Sequence, residues 1–178
     1  MLRGVNVGGH NRIKMEALRA LYESLGLLDV QTYVQSGNVV FRAKERNLAA
    51  LAKSIEDGIQ RDFGFRPGAV IRTPSELRTA IANNPFAARQ IEPSKLLITF
   101  LSAAPDAEAR GNALAIKTFP EELRIDGREV YIYFPNGMAR PKMSWPRIEK
   151  ALKTWGTGRN WNTVTKLLEI AEMLEAVR

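Results

Sequence analysis

Cysteine is absent from all 178 residues. This excludes thiolate nucleophiles, cysteine-based zinc sites and any disulfide framework, and it agrees with a reducing, cytoplasmic setting. Histidine is almost as scarce. His10 is the only one, so no HExxH pair or histidine cluster can form, and neither a metal nor a cofactor is expected. No apolar run approaches the roughly 18 residues that a membrane-spanning helix requires. Met1-Leu2-Arg3-Gly4 opens without the apolar region of a signal peptide. The phosphate-binding GxxxxGK[ST] pattern is missing, Gly4-Val5-Asn6-Val7-Gly8-Gly9 does not fit GxGxxG, and no serine stands in a GxSxG elbow. Acid is also under-supplied. Lysine and arginine number 26 against 19 aspartate and glutamate, for a net charge of +7 and a pI of about 9.9. That imbalance raises the local concentration of anions, so the expected partner is nucleic acid or an anionic small molecule. The basic residues form no tract, and a solubility charge without a partner explains the balance equally well.

What the chain does contain is a regular alternation of short elements. Its length fits one large domain or two small lobes, and folding at this size buries roughly 70% of the unfolded surface without help from a staple. Met1 to Val5 reads as a short strand, expected to be clipped at its start with a few upstream residues missing. A loop through Asn11 leads to an amphipathic helix with Met15, Leu18, Leu21, Tyr22 and Leu25 on one stripe and Gly26 at its end. Val30 to Gln35 and Val39 to Arg42 read as strands, joined by Gly37-Asn38 in a two-residue type II′ turn. Asn47 caps a second helix that Gly64 closes, and Ala69 to Arg72 supplies a fourth strand. The resulting β-α-β-β-α-β order predicts a ferredoxin-like lobe over residues 1–73. Residues 74–178 predict a second, smaller α+β lobe with a related β-α-β-β-α order. Its elements are a short helix capped by Ser75, a buried strand at Lys95 to Leu101, and a helix after Pro105. A hairpin about Asp126-Gly127, a helix opened by Pro146 and a final helix from Trp161 to about Ala176 follow.

Chemistry-bearing residues gather in three places. In the predicted first lobe a right-handed crossover makes strands one and two parallel, so the first loop and the following hairpin reach the same sheet edge. Arg3, Asn6, Gly8, Gly9 and Lys14, with Arg12, would then face Gln35, Ser36 and Asn38. Glycine amides can form an anion-binding nest, the cations add charge, and the amide side chains add direction. The competing reading is a scaffold loop and an ordinary turn. The third place is Arg159-Asn160-Trp161-Asn162-Thr163. Asn160 and Trp161 read as a helix cap and a core anchor, with Val164, Leu168 and Ala171 behind them. Arg159, Asn162, Thr163 and Lys166 cluster where a helix N-terminus attracts anions. His10, in a polar glycine loop, is a weak candidate for a proton carrier, and a solvated side chain is the plainer account.

Leu2-Arg3-Gly4-Val5-Asn6-Val7-Gly8-Gly9, Gln35-Ser36-Gly37-Asn38-Val39-Val40-Phe41 and Arg159-Asn160-Trp161-Asn162-Thr163-Val164-Thr165-Lys166-Leu167 together resemble the bacterial family called domain of unknown function 1697. The resemblance implies a two-lobed α+β fold of ferredoxin-like character and brings no activity, cofactor or catalytic residue. Two functional readings follow from the residues. One is a protein, monomeric or weakly self-associating, that holds an anionic ligand in a cleft formed by the three places. The other is a small cytosolic transferase- or hydrolase-type enzyme using the same cleft, with Arg159 on the developing charge. An RNA-recognition motif is disfavoured, because Val39-Val40-Phe41-Arg42 lacks the aromatic signature that stacks bases.

Overall fold

The apolar stripe at helical spacing becomes the buried face of α1 (Met15–Ser24) in the computed structural model, which describes residues 1–177. Leu18, Leu21 and Tyr22 on that face are buried. The helix ends as its sequence demands. Gly26 takes a φ of 80°, its N–H bonds to the carbonyl of Glu23 and that of Leu27 to Tyr22, which is the Schellman pattern. β1 (Leu28–Tyr33) and β2 (Asn38–Arg42) pair antiparallel, and α2 (Leu48–Phe63) follows. As expected, Asn47 caps α2, its Oδ1 accepting from Ala49 and Ala50 at 3.1 Å, and Gly64 closes it in the left-handed conformation. Leu2, Leu18, Ile55 and Ile59 form the centre of the first core. Burying each contributes roughly 2 kcal/mol, more than an exposed ion pair such as Lys53–Asp57 can supply.

Two expectations for this region need correction. Met1 to Val5 and Ala69 to Arg72 do not form strands; they meet in a single antiparallel bridge between Leu2 and Ala69. Leu2 N–H also bonds the carbonyl of Gly37, and Arg3 N–H that of Gly68, each at 2.9 Å. The expected neighbours are therefore in place, but the ladder stops after one or two residues because the backbone turns at Gly4, where φ is 68°. The hairpin is also not a two-residue II′ turn. Tyr33 pairs with Asn38, so Val34, Gln35, Ser36 and Gly37 all lie in the loop. Val34 and Gly37 take positive φ, and Asn38 is already a fully buried strand residue.

The chain divides into two compact units, Met1–Pro74 together with the segment from Leu167 onward, and Ser75–Lys166. α3 (Pro74–Ala82) opens at Pro74 rather than being capped by Ser75. A 3-10 turn at Pro93–Lys95 leads into β3 (Leu96–Leu101), the buried strand, followed by α4 (Ala107–Leu114) and β4 (Glu122–Asp126). β5 (Glu129–Tyr133), α5 (Trp145–Leu152), β6 (Gly156–Asn160) and α6 (Trp161–Ala176) complete the described elements. The two-residue turn with positive φ at its first position occurs here, at Gly127-Arg128 between the paired Asp126 and Glu129.

The fold is α+β. From β3 to β6 the element order is β-α-β-β-α-β, with strand order β4-β5-β3-β6 and every neighbouring pair antiparallel. α5 ends at Leu152, with Lys153 in the left-handed conformation. β6 has poor strand propensity, reading Gly-Thr-Gly-Arg-Asn, and is held in place by five register pairs with β3. One face of this sheet packs Leu101, Ile125, Val130 and Ile132 against Ala113 of α4 and Ile148 and Leu152 of α5. On the face that carries Tyr131, its hydroxyl donates to the carbonyl of Ala80 in α3 at 2.6 Å.

Candidate functional site

The glycine loop folds on itself. Val7 and His10 close a turn (N–H of His10 to carbonyl of Val7, 3.0 Å) with positive φ at both Gly8 and Gly9, the geometry that glycine adopts at least cost. Asn6 N–H bonds the carbonyl of Asn11 at 3.1 Å, and the Asn11 amide donates to the carbonyl of Gly4 at 3.1 Å. The Asn6 side chain then clamps the far end. Its Oδ1 accepts from Ile13 N–H at 2.8 Å and its Nδ2 donates to Ile13 carbonyl at 3.0 Å. Leu2, Val5 and Ile13 are buried beneath, while Val7 through Arg12 are exposed. The result is a preformed loop held by its own backbone bonds and by the side chains of Asn6 and Asn11.

The first loop and the hairpin come together as expected. Besides the Leu2–Gly37 hydrogen bond, a Cβ on Gly37 would stand 2.8 Å from Leu2 Cβ and 3.4 Å from Val5 Cβ. Contact this close leaves room only for glycine. Within the hairpin, Asn38 Nδ2 donates to Tyr33 carbonyl at 3.1 Å and to Ser36 Oγ at 2.8 Å. Asn38 thus serves the turn, whereas Gln35 is exposed at its tip. Asn6 likewise spends its amide on Ile13, so it shapes the loop.

Charge is what the loop presents outward. From Met1 to Met15 the sequence holds Arg3, His10, Arg12 and Lys14 and no acid, the first being Glu16. Arg3 is half-buried, and Arg12 and Lys14 are exposed. Neither Arg12 nor Lys14 forms an ion pair among the described residues. Lys14 stands at the N-cap of α1 without a capping side-chain bond, so the first-turn amides add partial positive charge beside it. His10 is exposed, and no side chain among the described residues orients its ring.

The third group of residues belongs to the second unit. Arg159 lies in β6 opposite Ile98 and is buried, so it is not the surface cation at a helix start that the sequence suggested. Nη1 donates to Thr157 Oγ1 at 2.7 Å and to Gly158 carbonyl at 2.8 Å. Burial pulls the guanidinium down to about 10, because a low-dielectric site disfavours the charged form. Asn160 caps α6 as expected, its Oδ1 accepting from Thr163 N–H at 2.8 Å. That bond occupies one amide that an anion would need. Asn162 is exposed, Thr163 and Lys166 are half-buried, and Val164, Leu167 and Ala171 form the buried stripe, with Trp161 and Leu168 only half-buried.

Sequence reasoning missed a cavity. Thr99, Phe134, Met143, Trp145 and Gly158 of the second unit line a half-open space of about 510 Å³. The one available signal was the pair Gly156 and Gly158, which occupy the same face of a strand.

Comparison with known proteins adds the following. A family model described as protein of unknown function (DUF1697) matches residues 1–131. A solved structure, that of the conserved bacterial protein SP0830 from Streptococcus pneumoniae, is similar with a TM-score of 0.72 at 21% identity, covering 97% of this chain and 96% of that one. At that identity the likeness is one of fold. Comparison with curated proteins gives no match.

Proposed function

The chain belongs to the DUF1697 family of proteins of unknown function, and within it we propose that this protein binds a phosphate-bearing anion at the glycine loop of its first unit. The observation that supports the reading is the acid-free run from Met1 to Met15, prefolded and carrying Arg12 and Lys14 exposed and without ion pairs among the described residues. A rigid loop loses little entropy when a ligand docks, and unpaired cations need break no internal bond to meet a phosphate. Arg3 and the backbone amides around Gly8 and Gly9 complete the surface, and Gln35 and Ser36 of the adjoining hairpin border it. Nucleic acid and phosphorylated small molecules share this chemistry.

Titration separates them. Single-stranded RNA and DNA should bind at low salt and weaken steeply as salt rises, with a log–log slope of about −0.7 per phosphate contacted. An Arg12→Ala/Lys14→Ala variant should flatten that slope by about 1.4 if both side chains contact phosphates. Binding of a sugar phosphate with no nucleic-acid binding would assign the small-molecule branch. Retention of full affinity and slope by the double variant would refute the assignment to this loop.

A further inference from the structure

The cavity belongs to the second unit, whereas the glycine loop belongs to the first, and it is lined by residues of β3, β5 and β6, by Phe134, and by the segment that leads into and opens α5. Its volume of about 510 Å³ is within the range of small-molecule sites. Two features mark it as more than a packing gap. The first is Thr99, which is only 3% exposed and whose hydroxyl has no hydrogen-bond partner among the described residues. No fully enclosed side-chain nitrogen or oxygen among the described residues lacks a partner. This hydroxyl must therefore be reachable, and Thr99 lines the cavity.

The second feature is Gly158, directly across from Thr99 in the β3–β6 register. A Cβ there would stand 3.3 Å from Thr99 Oγ1 and 3.0 Å from Leu97 Cδ2. The backbone of Gly158 is not left-handed, so conformation does not require glycine. What glycine provides is an uncovered hydroxyl on the cavity floor. Gly156 differs, since a Cβ on it would meet the Phe100 carbonyl at 2.8 Å.

The walls are apolar and fixed. Phe134, Met143 and Trp145 line them. Glu121, buried, accepts from the N–H groups of Lys142 at 3.3 Å and Met143 at 2.9 Å. The Trp145 indole N–H donates to Glu149 at 3.0 Å. Arg140, Lys142 and Arg147 flank these residues, exposed and with no ion pair among the described residues. From Pro135 to Ile148 the sequence has no acid.

We infer that this cavity binds a planar aromatic ring compound bearing one anionic group. The ring packs on Trp145, Phe134 and the Met143 thioether, surfaces that favour π-systems. A ring nitrogen or oxygen takes the hydrogen bond of Thr99, and the anionic group meets the cations that alternate along the chain with the lining residues, Arg140, Lys142 and Arg147. The test uses the full chain with indole-3-acetate and 4-hydroxybenzoate as probes, neither of which carries a phosphate, and indole and phenol as their uncharged counterparts. Binding is read by tryptophan fluorescence and by saturation-transfer NMR. At least one anionic probe should bind saturably at millimolar concentration or below, and several-fold more tightly than its uncharged counterpart. Thr99→Val, which keeps the shape and removes only the hydroxyl, should weaken it about tenfold. Gly158→Val should abolish binding by filling the floor, and Arg12→Ala/Lys14→Ala should leave it intact, which separates this site from the loop. If Gly158→Val does not fold, Thr99→Val decides the matter alone. The inference is overturned if no probe binds, if the uncharged compounds bind as tightly, or if Thr99→Val binds like the parent.

Discussion

Replacing Asn6 with alanine tests whether the glycine loop is preformed. Two hydrogen bonds would be lost, both to Ile13, at 2.8 and 3.0 Å, and each contributes about 1 kcal/mol net. Asn6 also holds a φ of 56°. Asparagine tolerates that region because its side chain bonds locally, whereas alanine adds about 1 kcal/mol of strain. Asn6→Ala should therefore cost about 3 kcal/mol. For a protein of this length that corresponds to a Tm lower by roughly 6–12 °C. Asn6→Gly keeps the backbone conformation and loses only the bonds, so it should cost about 1 kcal/mol less than alanine. Hydrogen exchange locates the effect, since the Ile13 amide donates directly to Asn6 and should lose protection in both variants. Urea unfolding followed by circular dichroism supplies the energies. An Asn6→Ala variant within 0.5 kcal/mol of the parent, or with an Ile13 amide still protected, would refute the clamp. The rigid loop on which the anion reading depends would fall with it.

Two further predictions concern the same unit. Gly37 and Gly64 share nearly the same left-handed φ, 74° and 79°, but a Cβ on Gly37 meets Leu2 while one on Gly64 meets nothing within 4 Å. Gly64→Ala should therefore cost about 1 kcal/mol of backbone strain and Gly37→Ala about 2–4 kcal/mol; equal melting shifts would show that the loop and hairpin are not in close contact. The carboxyl of Asp57 is held below the ordinary aspartate range, first by the Arg66 hydrogen bond and then by Lys53. A depressed folded-state value means the contribution is present above the unfolded-state pKa and is lost as pH falls through the folded one. Asp57→Asn should thus lower Tm slightly at neutral pH, less so in high salt, and the difference should shrink progressively as acid protonates the carboxyl. A difference that persists in acid would mean that Asp57 acts through packing.

Much of this architecture was legible because its signals are local. A helix stripe with Asn47 before it and Gly64 after it fixes an element using contacts within one or two turns, and α1, α2 and α6 appear where periodicity and caps put them. The α+β class follows from the same signals. The misread strands and the misread turn are matters of pairing. Met1 to Val5 has strand composition yet makes one bridge, whereas Gly-Thr-Gly-Arg-Asn has little and makes a strand. Whether a segment is a strand depends on a neighbour distant in sequence, and the neighbour of β6 is β3, some sixty residues earlier. Glycine suits a II′ turn at Gly37-Asn38, but Asn38 pairs with Tyr33 and is the first residue of β2, so the loop is Val34 to Gly37.

The functional residues divide in the same manner. The sequence alone determined that the chain is basic, that it has neither a cysteine nor a histidine cluster to run thiolate or metal chemistry, and that its first fifteen residues carry cations without acid. These are counts, and folding does not alter them. Tertiary structure decided which of those groups face outward. It turned Asn6 and Asn38 inward onto Ile13 and Tyr33, buried Arg159 in a strand, and left Arg12 and Lys14 in solvent. It also opened a cavity over Thr99, a residue that nothing in the sequence distinguishes. A polar group's role depends on what shares its surroundings, and for a threonine on β3 those surroundings come from β6 and the segment before α5, which only folding brings alongside it.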